Sequence, residues 1–203
     1  MYVITGATGN TGSVVADRLL EAGQKVRVVG RDPKRLEKFT EQGAESFVAD
    51  ATDAGALTNA FAGAKAVYAM IPPNIGSPDV RAHEESVSDA LRSAIKKNGI
   101  KYAVVLSSFG AEKPQGTGPV VGVHSLEKKL ERIPSLTRIS HRPLRVEVNG
   151  APELVFQQVL ISHRSQDGEC GSEWASEGPP NGRKILFVHP KADFKRDSAW
   201  PLA

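Results

Sequence analysis

The sequence predicts an α/β protein: a doubly wound parallel sheet with helices on both faces, followed by an irregular, truncated C-terminal tail. Three observations point to it. Short apolar runs alternate with longer amphipathic ones over the first 140 residues, Gly and Pro punctuate the boundaries, and a glycine-rich turn separates the first apolar run from the first amphipathic segment. Strand and helix alternating at this rhythm imply right-handed βαβ crossovers, which put helices on both faces of a parallel sheet.

Tyr2 to Thr5 is short, apolar and β-branched, and is read as the first strand. Gly12 to Ala22 follows as a helix, with Val15, Leu19 and Ala22 on one face and Gly23 where a C-cap belongs. Lys25 to Val29 is the second strand; Pro33 to Gln42, opened by proline and closed by Gly43, is the second helix. Ser46 to Ala49 and Asp53 to Phe61 repeat the pair. Ala66 to Ile71 is the fourth strand. Pro78 to Asn98 is a long helix on which Leu91 and Ile95 share a face, ended by Gly99. Tyr102 to Leu106 and Val123 to Ile133 complete the series.

A chain of 203 residues, 40% hydrophobic and 24% charged, buries one sizeable core but not two. No stretch approaches the ~20 continuous apolar residues that span a bilayer, and the first residues read as a strand with no leader before them. The expectation is a soluble, cytoplasmic protein with no membrane partner. A single cysteine, Cys170, makes no internal disulfide, which fits a reducing compartment. The net charge of +3 is small and basic residues are scattered among acidic ones, unlike the clustered face of a nucleic-acid binder. Metal chemistry fails on spacing: "HEES" at His83 lacks a second histidine, and one cysteine excludes paired-thiol motifs.

In "GATGNTG", Gly6 permits a tight turn, Gly9 a close approach of a polar group to the backbone, and Gly12 the packing of helix on strand. Thr8, Asn10 and Thr11 lie between them on the same cradle. The free N–H groups at the helix start, with the macrodipole behind them, suit a pyrophosphate. The bland alternative is a structural turn that binds nothing. The second strand, "KVRVVGRDPKR", ends with Arg31, which suits the 2′-phosphate of NADP, whereas Asp32 keeps NAD open. Lys34 and Arg35 follow, and all these charges also fit a solvated helix start. "FVADATD" supplies Asp50 for the adenine amino group, with Ala51 beside it; "YAMIPPNIG" places Met70, Ile71, Pro72 and Pro73 at the carboxyl edge of the sheet, where ligands bind.

These segments, with "VVLSSFGA", together resemble the NmrA-like branch of the atypical short-chain dehydrogenases/reductases, especially its NAD(P)H:quinone oxidoreductase and azoreductase-like members. The similarity covers residues 1 to 136. It implies a Rossmann-like fold, NADP(H) as cofactor with NAD(H) as the alternative, and in some relatives hydride transfer to a quinone or similar acceptor. Other members of that branch bind dinucleotide without turnover, as redox sensors.

Classical short-chain reductases pair a Tyr with a Lys four residues later on one helix, and set a serine at the end of the fifth strand. Here Ser107 and Ser108 stand at that strand end, and "GVHSLEKKLE" places His124 four before Lys128; the tyrosine is missing. His124 is a candidate proton donor near neutral pH, against the plainer reading of a surface or capping residue. Lys128 is a candidate ribose contact, with Lys129 as its rival. The absent tyrosine counts against alcohol oxidation and against a sugar-nucleotide epimerase. It leaves quinone reduction open, since hydride delivery to a quinone needs proximity and a stabilised oxyanion more than a dedicated acid.

Residues 1–140 are therefore read as an NAD(P)-binding Rossmann domain and 141–203 as an atypical tail. Both tryptophans, the only cysteine, three of five histidines and six of thirteen prolines fall after residue 140. Only "HRP" echoes the family's continuation. The tail is either a frameshifted or truncated remnant of the substrate region or a divergent lid; "GPPNG" reads as a turn and "KILFV" as a strand. A small-molecule acceptor and a monomer or homodimer complete the expectation.

Overall fold

Five short apolar segments become the first five strands of one sheet, and five amphipathic segments become helices. In the computed structural model, which describes residues 1–74, 76–133, 135–148, 151–164 and 170–175, with side chains as far as residue 136, these are β1 (Tyr2–Thr5), α1 (Asn10–Glu21), β2 (Val26–Gly30), α2 (Pro33–Thr40), β3 (Glu45–Val48), α3 (Ala54–Ala60), β4 (Ala66–Ala69), α4 (Val80–Lys97), β5 (Tyr102–Leu106) and α5 (Val120–Glu131). β6 (Thr137–Val148), β7 (Ala151–Arg164) and β8 (Cys170–Ala175) follow. The strand order is β3-β2-β1-β4-β5-β6-β7-β8, parallel from β3 to β6 and antiparallel beyond. The chain moves outward from β1 to β3, then crosses back through α3 to β4 on the other side of β1. The switch between β1 and β4 opens a crevice at their carboxyl ends.

Each face of the sheet is sealed by its own helices. Leu57, Phe61, Leu91, Ile95, Leu126 and Leu130, from or just after α3, α4 and α5, pack on Val3, Val67 and Val105. On the opposite face, Ala16, Leu36 and Phe39 of α1 and α2 cover Ile4, Val28 and Tyr68. Glycines end the helices as expected: Gly23, Gly43 and Gly99 all take positive φ. Most boundaries lie one to three residues from those expected, and two of the shifts have clear local reasons. α1 starts at Asn10 because Gly9 is its N-cap. β4 stops at Ala69 rather than Ile71, because the Met70 N–H turns to the Thr5 hydroxyl and Pro72 and Pro73 have no N–H to give.

Helices α4 and α5 are joined by Lys129, whose ammonium meets Glu85 and Asp89 at 2.6 Å each. Beneath this clamp Glu84 is buried against Gly122, where an added Cβ would lie 2.5 Å from the carboxylate. Burial raises the Glu84 carboxyl above its ordinary value of 4.5, with the neighbouring Glu85 adding to the rise and Arg81 and His83 opposing it. An acid whose folded pKa is raised binds its proton more tightly folded than unfolded. Stability therefore falls as pH rises from 4.5 through the folded value. Glu84→Gln keeps the shape and removes the charge, so it is expected to raise Tm at pH 7 by about 2 °C, the shift given by roughly 1 kcal/mol in a chain of this size. Thermal melts should show the difference vanishing below pH 4.5; an advantage that persists there would refute a charge effect.

The strand–helix rhythm ends after α5, as the sequence predicts. Among the described residues, the chain beyond it is not irregular but runs in β6, β7 and β8. β6 continues the parallel register from β5. The register of β6 on β7 shifts between Arg142 and Pro143, because proline has no N–H for the ladder. The division drawn at residue 140 falls within β6. The turn at 178–182 and the strand at 184–188 lie outside the described residues.

Candidate functional site

Three helices begin with an aspartate that accepts from their first N–H groups. Asp32 takes the Lys34 N–H, Asp53 those of Gly55 and Ala56, and Asp79 that of Ala82, at 2.8–3.0 Å. Helix α1 is different. Its N-cap is Gly9, with no side chain to close the end. Asn10, Thr11 and Gly12 carry N–H groups too early in the helix to find an intrahelical acceptor, the first such bond being Ser13 N–H to the Gly9 carbonyl. The capping of α5, at Pro119, also lacks a side-chain bond.

The loop before α1 is folded onto itself. Gly6 takes φ +64°, and a Cβ there would strike the Met70 thioether that covers it. The Gly9 N–H donates to the Gly6 carbonyl at 2.9 Å. A Cβ on Gly12 would collide with that same carbonyl and stand 3.1 Å from the Ala7 Cα. Gly9 is the least crowded of the three, a Cβ there meeting only the Gly6 oxygen, closely, at 3.3 Å. Two glycines thus serve backbone contact within the loop and one leaves room outside it, a cradle suited to a diphosphate.

The loop's position is fixed by residues the motif itself does not include. Thr5, buried at the end of β1, donates its hydroxyl to the Tyr68 carbonyl at 3.0 Å and accepts from the Met70 N–H at 3.2 Å, binding β1 to β4 at the switch point. Thr5→Val keeps the shape but orphans both partners, and should cost about 1–3 kcal/mol in urea unfolding; an unchanged midpoint would dismiss the clamp. The Tyr68 hydroxyl is buried beside Thr11 without a well-formed hydrogen bond; burial raises its pKa and Thr11 works against the rise. Arg35 of α2 donates from its guanidinium to the Thr8 carbonyl at 2.9 Å. A buried hydroxyl before a glycine turn, and a basic residue one turn into the next helix, were the available sequence signals.

Arg31 is exposed at the end of β2 and lies close enough to Asp50 for its charge to be felt there. The Asp50 carboxyl accepts from the Thr52 hydroxyl at 2.7 Å and the Thr52 N–H at 2.8 Å. These bonds, then Arg31 and His83, hold it below the ordinary range, so it stays an acceptor at neutral pH. Asp32 is engaged as the cap of α2. Ala51 and Ile71 pack partly buried against the core below, and Pro72 is half-buried at the edge.

The second cluster sits at the end of β5. Ser107 is buried there and Ser108 half-buried. His124, in the first turns of α5, places Nδ1 2.6 Å from the Ala111 carbonyl. A carbonyl only accepts, so Nδ1 carries the proton and Nε2 is left with its lone pair. The two lysines turn elsewhere. Lys128 is exposed and reaches Glu131, one turn further from the sheet's carboxyl edge, at 3.0 Å, while Lys129 is held by α4.

A glycine cradle under an open helix N-terminus, at the switch point of a parallel sheet, defines a dinucleotide-binding protein of the Rossmann type. The sequence matches the NAD(P)H-binding family over residues 6–131. The chain belongs to that family, and its cofactor is NAD(P)H. Anthocyanidin reductase of Arabidopsis thaliana is 30% identical over 134 residues, 58% of this chain and 39% of the relative. An NADPH-dependent quinone oxidoreductase of Escherichia coli, in complex with NADPH, superposes on 68% of this chain and 47% of its own, with TM-score 0.56 and 24% identity. The Citrobacter triphenylmethane reductase complexed with NADP(H) covers 66% and 47%, with TM-score 0.57 and 23% identity. These likenesses establish a shared fold. The chain spans 39% of the first of these relatives and 47% of the other two. Among the described residues, no helix is long and apolar enough to cross a membrane and no group of His, Cys, Asp or Glu is placed to hold a metal ion.

Proposed function

We propose that the protein is an NADPH-dependent reductase that passes a hydride to a quinone or similar small acceptor. The observation that carries this is the cradle itself: helix N–H groups left open while the helices that begin at Asp32, Asp53 and Asp79 are capped, with Arg31 exposed at the end of β2 near Asp50. NADPH, when bound, supplies the hydride, and reduction of a quinone to a hydroquinone consumes that hydride and one proton. In this reading Gly6 and Gly12 shape the loop, Gly9 leaves room for the diphosphate, Thr8, Asn10 and Thr11 line it, and Arg31 selects the 2′-phosphate. Asp50, with Ala51 beside it, receives the adenine amino group; Ile71 and Pro72 form the edge over which the nicotinamide end extends. Ser107 stands where a developing oxyanion needs a donor. His124, its ring oriented by the Nδ1 bond to Ala111, contributes Nε2 as a relay that takes a proton from solvent and passes it to the quinone oxygen. The protein would work in the cytoplasm, as a monomer or homodimer, on a diffusible acceptor.

The test is loss of NADPH absorbance with the full chain and a small quinone. Quinone-dependent oxidation supports the reductase. Tight binding of NADPH with no quinone-dependent loss supports the second reading, a non-catalytic NADP(H) sensor. One observation favours that reading: both α5 lysines are turned to carboxylates rather than to the carboxyl edge.

A further inference from the structure

The chain turns back on itself as soon as β5 ends. The Ala111 N–H donates to the Ser108 carbonyl at 3.2 Å, and Gly110, third in this turn, takes φ +85°. A positive φ at the third position is the type II pattern, which puts Phe109 at the corner. The turn is braced behind its glycine. The Lys113 N–H donates to the Gly110 carbonyl at 3.0 Å, and a Cβ on Gly110 would lie 3.0 Å from the Thr117 methyl. Both flanks are sunk in the protein, since Ser107 and Ala111 are buried.

Phe109 is nevertheless 44% exposed. Among the described residues it shares this with two other large apolar side chains, Val48, which ends the edge strand β3, and Tyr102, which opens β5 at the end away from the site. Phe109 lies at the other end of β5, two residues beyond Ser107 and two before Ala111, whose carbonyl meets the His124 ring. A lone exposed ring is ordinary on a protein surface. This one is presented by a fixed turn, between the two groups that the reductase reading assigns to the acceptor. A quinone is a flat ring made electron-poor by its carbonyls, and such a ring stacks on the electron-rich face of a phenyl.

We infer that Phe109 is a specificity-determining residue for the acceptor: its phenyl face takes the flat ring of a quinone beside Ser107 and His124, so the site selects planar conjugated acceptors over branched or saturated carbonyl compounds. The inference rests on the reductase reading above and adds to it the contact and the shape of the acceptor.

The test is titration of the full chain with duroquinone, a quinone with no free ring position for a thiol to attack, in excess NADP+, which fills the nucleotide site without supplying a hydride. Native protein, Phe109→Tyr, Phe109→Leu and Phe109→Ala are compared, with thermal melts to report folding. Stacking adds roughly threefold to tenfold in affinity beyond the area buried. Phe109→Tyr keeps the ring and is expected to bind as the native protein does. Phe109→Leu keeps apolar area without the ring and should lose about threefold to tenfold; Phe109→Ala loses both and should fall more than tenfold. NADP+ affinity should be unchanged in all three. Folded Leu and Ala variants that bind duroquinone normally, or that lose NADP+ in parallel, overturn the role of Phe109, as does a native protein that takes NADP+ but no duroquinone. Native protein that binds duroquinone yet leaves NADPH unoxidised in its presence overturns the hydride transfer instead, and the stacking role stands on the variants' affinities.

Discussion

Gly12→Ala is expected to lose about 3 kcal/mol of stability and all measurable NADPH binding in one substitution. Overpacking a tight contact costs roughly 1–3 kcal/mol when side chains can rearrange, and here the obstacle is backbone. The new methyl would meet the Gly6 carbonyl, its carbon at 2.8 Å, and the Ala7 Cα at 3.1 Å. Relief requires either lifting α1 off the loop or breaking the Gly9 to Gly6 hydrogen bond, and both displace the open N–H groups. Gly9→Ala is the contrasting variant. Its φ of −91° suits any residue, and only the Gly6 oxygen is near, at 3.3 Å. That variant should unfold in urea within about 1 kcal/mol of the native protein yet bind NADPH at least tenfold more weakly, since a methyl now occupies the space beside the cradle. If Gly9→Ala binds normally, the diphosphate does not lie over Gly9, and the turn is a structural one.

The sequence was most legible where local chemistry alone decides the conformation. Gly6, Gly23, Gly43 and Gly99 adopt the left-handed backbone that glycine tolerates, and Pro33 stands at the first position of α2. The parallel order was also readable, because alternation of strand and helix leaves few topologies. What could not be read depends on contacts between distant residues. Nothing in "YVIT" says that the Thr5 hydroxyl will bridge to Tyr68 and Met70 across 63 and 65 positions. Nothing in "KKLE" says which lysine faces α4; Lys129 does so because Glu85 and Asp89 lie on the facing turns of the long helix. The pairing of β6 with β7 eluded the sequence for a related reason. Strand signals rest on periodicity within a run, whereas the hairpin is defined by register between two runs, interrupted here by Pro143.

Arg31→Asp is the substitution expected to move coenzyme choice furthest, lowering the ratio of NADPH to NADH affinity by about a hundredfold. Two effects act in the same direction. Removing a guanidinium from a phosphate loses a charge-assisted bond of roughly 1.5–3 kcal/mol, or about ten- to a hundredfold in affinity. Putting a carboxylate there adds repulsion against the same phosphate, while leaving an acceptor that suits a free ribose hydroxyl. The neighbourhood sharpens the effect. Asp50 is held ionised by Thr52 and then by Arg31, so the variant sets two acids where one acid and one base stood, and the Asp50 carboxyl should shift upward. NADPH binding should accordingly recover in part as pH falls toward the carboxylate range, whereas NADH binding should not. Titrations of both nucleotides across pH check this, and an unchanged ratio at neutral pH would show that Arg31 is a solvated charge. Loss of Arg31 should leave NADH affinity intact.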